Sequence, residues 1–101
     1  MVLEVVDISI DEARKDAFEA AVAEGIKVAI APAKGFCGYQ LNAGIEKPGR
    51  YILMLYWETL ENHTVDFRES EAFAVWRSHV GPFFLQPPNV EHFTLASKSA
   101  S

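Results

Sequence analysis

Tyr51-Ile52-Leu53-Met54-Leu55-Tyr56-Trp57 is the stretch that decides the fold. These bulky residues follow one another with no polar position between them. A strand with one wet face alternates apolar and polar side chains, so this run predicts a strand buried on both faces. Lys47-Pro48-Gly49-Arg50, just before it, reads as a turn. Upstream, Phe36 to Ile45 reads as a neighbouring strand, with Gly38 and Gly44 marking weak or bent places.

The flanking segments supply the rest of an α+β domain. Val2 to Ile8 is short and β-branched, interrupted by Glu4, Asp7 and Ser9, and reads as a first strand. Ser9-Ile10-Asp11-Glu12 matches a capping box with Ser9 as N-cap. A helix then runs to about Ala29, with Phe18, Ala21, Val22, Gly25 and Ala29 as its apolar stripe, and Pro32 ends it. Thr59 can cap a short helix through Phe67, and Ser70 another through Val80. Pro82, Pro87 and Pro88 break the chain, and Val90 to Leu95 forms a last strand. The order β-α-β-β-α-α-β is a ferredoxin-like arrangement with a four-stranded antiparallel sheet and its second helix in two pieces. One domain is expected over 1–95, with 96–101 a flexible polar tail. Both helical layers lie on one face of such a sheet. The other face would then expose an apolar stripe, which predicts a homodimer formed face to face through that open side, its two sheets closing around a shared interior.

Composition narrows the function. The chain has 101 residues, half of them hydrophobic, and a net charge of −5. That balance, with scattered Lys and Arg, argues against nucleic acid or an anionic membrane surface as partner. No apolar run approaches the roughly 20 residues of a membrane span, and the N-terminus lacks a basic region before an apolar stretch. The single cysteine, Cys37, excludes an intrachain disulfide. The expected setting is cytoplasmic.

At this point the chain resembles the antibiotic biosynthesis monooxygenase family, a group of dimeric α/β barrels. The resemblance rests on Leu55-Tyr56-Trp57-Glu58-Thr59-Leu60-Glu61-Asn62-His63, on Phe67-Arg68-Glu69-Ser70-Glu71-Ala72-Phe73, on Gly35-Phe36-Cys37-Gly38-Tyr39, and on Pro87-Pro88 before the final strand. Some members oxidise polycyclic quinone precursors with oxygen and neither metal nor flavin. Others degrade haem, act as isomerases, or have no assigned activity. The haem degraders use an Asn, a Trp and a ligating His; aligned on Ser70-x-x-Phe73 those positions fall near Asp7, Phe67 and Arg77. Arg does not ligate iron, and His79 is about 200° round the helix from the Arg77 position, so haem degradation is disfavoured.

His63 is the expected catalytic residue, a base or carbonyl-orienting group four residues before Phe67 on one helix face. Its alternative is a histidine that caps or binds a neighbouring loop. Trp57, Tyr39, Phe67, Trp76, Phe73 and His92 are the expected substrate-binding residues. Trp57, Trp76 and Phe73 also fit simple core packing, and His92 an interface. Phe83 and Phe84 fit a lid or a dimer contact, His79 a structural role near a helix end, and Cys37 an inert buried thiol. The three histidines have no metal-binding spacing and no phosphate loop is present, so neither cofactor nor metal is expected. With what the resemblance implies, the expected function is a cofactor-independent monooxygenase acting on a small hydrophobic aromatic or quinol-like substrate. The rival readings are a non-catalytic small-molecule-binding or structural barrel, and an isomerase of small oxygenated metabolites.

Overall fold

The computed structural model describes residues 1–100. Its four strands are β1 (Val2–Ser9), β2 (Phe36–Ala43), β3 (Arg50–Trp57) and β4 (Asn89–Thr94). All neighbours pair antiparallel, in the order β2-β3-β1-β4. The apolar run of β3 takes a central place beside β1, in unbroken register from Val2 opposite Trp57 to Ser9 opposite Arg50. The glycine-containing β2 takes an edge, where a bulge between Phe36 and Gly38 is tolerated. One face of the sheet is covered by α1 (Lys15–Gly25), continued in wider π-helical turns over Ile26–Ile30, by a π-helical segment Asn62–Phe67, and by α2 (Glu71–Val80). This is the ferredoxin-like α+β fold expected from the strand order.

Burial separates the two faces of β3. Tyr51, Leu53, Leu55 and Trp57 lie under the helices, none more than 3 % exposed. Ile52, Met54 and Tyr56 point the other way and are half-buried. On β1, Glu4, Val6 and Ile8 point inward and Leu3, Val5 and Asp7 outward. The sheet is thus apolar on both faces, and its own helices cover one. Leu3, Val5, Ile52, Met54, Tyr56 and Phe93 share the open face with a bidentate Asp7–Arg50 pair, 2.8 and 3.1 Å.

Several local expectations shift. Ser9 stays in β1 and does not cap the helix. Ile10 remains buried with its N–H bonded to the Gly49 carbonyl (2.8 Å), so the chain leaves the sheet two residues later. Asp11 is the cap, its Oδ1 accepting from the Ala13 N–H at 2.9 Å. Thr59 does cap, reciprocally with Asn62: Oγ1 accepts from the Asn62 N–H (3.1 Å) and Asn62 Oδ1 from the Thr59 N–H (3.0 Å). Ser70 takes the N-cap position of α2, but its hydroxyl donates to the Phe67 carbonyl at 2.6 Å instead of capping. The helices pack closely at Gly25, where a Cβ would stand 2.9 Å from the Trp76 ring. Ala96 to Ala100 form neither helix nor strand, and Ser101 lies outside the described residues. Among the described residues no helix is long and apolar enough to cross a membrane.

Candidate functional site

A cavity of about 290 Å³ opens between the covered face of the sheet, the π-helical segment and α2. Val6, Ile8, Leu53 and Leu55 form its sheet wall; Phe67, Phe73, Trp76 and Phe84 form much of the rest. Polar groups enter at two places. Glu4 and His63 lie on the wall, and Arg68 and Arg77 also line the space.

Glu4 reaches this position through strand parity. It shares the inward face of β1 with Val6 and Ile8, and it is 6 % exposed. Its Oε1 accepts from the Trp57 indole N–H at 2.9 Å, and its Oε2 lies 3.3 Å from His63 Nε2. His63 Nδ1 in turn lies 2.8 Å from His92 Nε2. His92 sits directly opposite Glu4 across the β1–β4 ladder and is half-buried. Trp57, Glu4, His63 and His92 are therefore one connected polar chain running from the core through the cavity wall to β4.

Burial decides the charges in that chain. Desolvation pushes the Glu4 carboxyl up to about 7; the Trp57 hydrogen bond and the Arg68 charge oppose it. Desolvation, helped by the charges of Arg68 and His92, pushes His63 down to about 4. His92 is lowered for the same reasons, burial first and Arg68 second. Near neutral pH the histidines are uncharged, and the proton that changes hands belongs to Glu4. With Glu4 ionised, His63 presents Nε2–H to it and its Nδ1 accepts from His92 Nε2–H. With Glu4 protonated, the direction of both contacts reverses. Each arrangement places a proton between every adjacent pair.

The aromatic shell holds His63 in place. Its ring stacks on Trp57 (5.6 Å between centroids, 25° between planes) and lies 6.3 Å from Phe67, nearly parallel. The shared face of His63 and Phe67 follows from their four-residue spacing on the helical segment. Phe73 meets Phe67 edge-on at 5.8 Å.

The expected site residues divide accordingly. His63, Phe67, Phe73 and Trp76 line the cavity, and His92 joins it through His63. Trp57 is fully buried and acts on the site through its N–H to Glu4. Tyr39 does not reach the cavity; it lies on edge strand β2, 42 % exposed, beyond the helical cover. Cys37 is exposed and not buried, because the bulge turns it out of the strand; its Sγ donates to the Gly35 carbonyl at 3.3 Å. Phe84 lines the cavity, whereas Phe83 packs on Phe18 beneath Arg14. His79 bonds the Val75 carbonyl within α2 (2.9 Å). Glu4 reads in the sequence only as an interruption of β1. The signal that finds it is parity: it falls on the same alternate positions as Val6 and Ile8, so an inward β1 places a carboxylate in the core. Among the described residues no three His, Cys, Asp or Glu side chains are grouped as metal ligands.

Comparison with known proteins agrees with the fold and with the sequence resemblance. The uncharacterised protein YczJ of Bacillus subtilis (strain 168) is 34% identical over 93 residues, spanning 92% of this chain and 97% of that one. A crystal structure from Bordetella bronchiseptica, provisionally named an antibiotic biosynthesis monooxygenase, is 40% identical with a TM-score of 0.89, covering 95% of this chain and 97% of its own. SnoaB of Streptomyces nogalater, a cofactor-independent oxygenase, shares the fold at 16% identity, with a TM-score of 0.80 over 99% of this chain and 97% of its own. The model of the family described as antibiotic biosynthesis monooxygenase matches residues 1–78, and with these relatives it shows that the chain belongs to that family.

Proposed function

We propose that the chain is a monooxygenase that oxidises a small hydroxylated aromatic or quinol-like molecule, with dioxygen as oxidant and no resident cofactor. The observation that carries this reading is the Glu4–His63 pair on the wall of the cavity, backed by His92 at 2.8 Å from His63. An activated phenol or enol becomes an electron donor to dioxygen once its hydroxyl is deprotonated. Ionised Glu4, backed by His63, takes that proton. The resulting anion passes one electron to dioxygen, and the radical pair combines at carbon to form a peroxide. Cleavage of its O–O bond, with loss of the one hydrogen left on that carbon, leaves one oxygen as a carbonyl and releases the other as water. Overall, a CH₂ group and O₂ become C=O and H₂O. His92 is the outlet of the proton chain, since its ring is half-buried whereas Glu4 and His63 are enclosed.

Oxygen uptake with a panel of anthrone- and quinol-like compounds in metal-free buffer tests the reading. Glu4→Gln and His63→Ala should each lower turnover by about 10²–10⁴-fold, the range of general acid–base catalysis. In the wild type, kcat/KM should rise with pH through about 7, where Glu4 ionises. No uptake across the panel, or full activity in both variants, overturns it. The same carboxylate–histidine couple also suits proton transfer in an isomerase, and turnover under nitrogen separates the two, because only oxygenation stops.

The same proposal includes a second copy of the chain on the open face. Ile52, Met54, Tyr56 and Phe93 are the side chains it would cover, each large side chain contributing about 1.5–3 kcal/mol when fully buried.

A further inference from the structure

The cavity holds two cations that make no hydrogen bond to the proton chain. Arg68 follows Phe67 at the end of the π-helical segment, and Arg77 lies in the last turn of α2. Both line the cavity from its exposed side. Their guanidinium carbons each stand 6.0 Å from the centre of the Phe73 ring, and Arg77 is 5.6 Å from that of Phe84. Among the described residues, neither lies within ion-pair distance of a carboxylate. In a chain with net charge −5, two cations beside one aromatic ring with no contact ion pair are a local reversal of the overall charge.

The field of Arg68 reaches the reacting end. The Arg68 charge favours the ionised form of Glu4 and disfavours the charged forms of His63 and His92. A negative charge arriving in the cavity is therefore met by a fixed positive one. Guanidinium groups are planar donors that grip a carboxylate through two parallel hydrogen bonds. The cavity volume, about 290 Å³, lies at the lower limit of the ~300–1,000 Å³ usual for ligand pockets. It suits one or two fused rings.

We propose that the ligand of this cavity is a small hydroxylated aromatic acid. Its ring lies against Phe73 and Trp76, its hydroxyl meets Glu4 and His63, and its carboxylate is held by Arg68 and Arg77. The hydroxyl end rests on the function proposed above; the carboxylate end does not.

Binding, read by quenching of tryptophan fluorescence with Trp76 in the wall, tests it without turnover. The probes are a hydroxynaphthoic acid and the naphthol that lacks its carboxylate. The acid should bind about ten-fold or more tightly than the naphthol, and added salt should weaken the acid alone. Arg68→Gln and Arg77→Gln should each erode that preference, and the double variant should abolish it, so that acid and naphthol bind alike. Equal affinities in the wild type, or a preference that survives the double variant or high salt, overturns the proposal. The wild-type salt series needs no variant, so poor folding of a mutant does not shelter the idea. Arginine-dependent binding of the acid with no oxygen uptake upholds this proposal and defeats the oxygenase; uptake with neutral quinols and no preference for acids does the reverse.

Discussion

Glu4 and Asp7 stand on the same strand, three positions apart, and the two faces of the sheet treat their carboxyl groups in opposite ways. Asp7 points to the open face and meets Arg50 through two hydrogen bonds, which hold its pKa below the usual carboxylate range. Glu4 points to the covered face, where it meets an indole N–H and a neutral imidazole, and burial pushes it up to about 7. An opposite charge in water stabilises the ion, while desolvation that outweighs the Trp57 hydrogen bond and the Arg68 charge stabilises the acid. The comparison shows how one β-strand can carry a fixed charge on one side and an exchangeable proton on the other.

The largest test of that contrast addresses the faces themselves. If the open face is covered by a second copy, Met54→Asp and Tyr56→Asp together should bring the mass in light scattering from twice 11.2 kDa to the single-chain value. The charges would be buried without partners in the dimer but solvated in the monomer. The helix-covered face does not depend on these residues, so circular dichroism should still report a folded chain.

Next comes the pH dependence of stability. The raised pKa of Glu4 contributes stability that is full below its unfolded value of 4.5 and is lost as pH rises through about 7. The lowered pKa of His63 contributes stability that is full above its unfolded value of 6.5 and is lost as pH falls through about 4. Between roughly pH 4.5 and 6.5 the folded pair holds one proton, on Glu4, and the unfolded pair also holds one, on His63. The two slopes oppose each other, so the pair adds little pH dependence there. Glu4→Gln removes one of them. Its unfolding free energy should rise by on the order of 2 kcal/mol more than that of the wild type between pH 4 and 6.5, measured by urea titration. A variant whose profile matches the wild type would break the pairing.

A smaller perturbation asks what Trp57 contributes. Trp57→Phe keeps an aromatic ring in the core but leaves Glu4 Oε1 without its donor. Loss of that bond should cost about 1–3 kcal/mol, together with a cavity cost for the smaller ring. Because the bond lowers the Glu4 pKa, the ionisation seen in a pH–rate profile should move above 7.

Much of this architecture is legible in the amino-acid order. The unbroken apolar run from Tyr51 to Trp57 specifies a doubly apolar central strand, and the element order specifies the topology. Which side chains face which way is not legible in that run, because alternation carries no information when every residue is apolar. The polar residues of β1 hold the missing phase: Glu4 and Asp7 have opposite parity, and the two share the strand with Val6 and Ile8 on only one side. Phe73 and Trp76 follow from α-helical spacing, and His63 and Phe67 keep a shared side because a four-residue step is close to one full turn in α- and π-helical geometry alike. Cys37 falls elsewhere than expected because a bulge leaves no trace in hydrophobicity, and Tyr39, opposite Leu55, misses the cavity because β2 is an edge strand, a place in the sheet that local alternation does not encode. The Glu4–His63–His92 chain joins three elements far apart in sequence, and no local pattern encodes such a meeting.

The smallest effect belongs to the outward carboxylate. Asp7→Asn removes one charge of a pair whose side chains are 35% and 47% exposed. Water already screens such a pair, and holding two side chains in one geometry has an entropic cost, so the loss should be about 0–1 kcal/mol and should shrink in high salt. The sign with pH follows from the lowered pKa. The contribution is present above the unfolded Asp value of 3.8 and disappears as pH falls through the lower folded value. Wild type and Asp7→Asn should therefore differ in urea midpoint at neutral pH and converge in acid. If the open face is buried by a partner, however, Asp7 and Arg50 are desolvated together, and removing one strands the other, which raises the cost to several kcal/mol. The size of this one substitution thus reads whether the second face of the sheet is wet or covered.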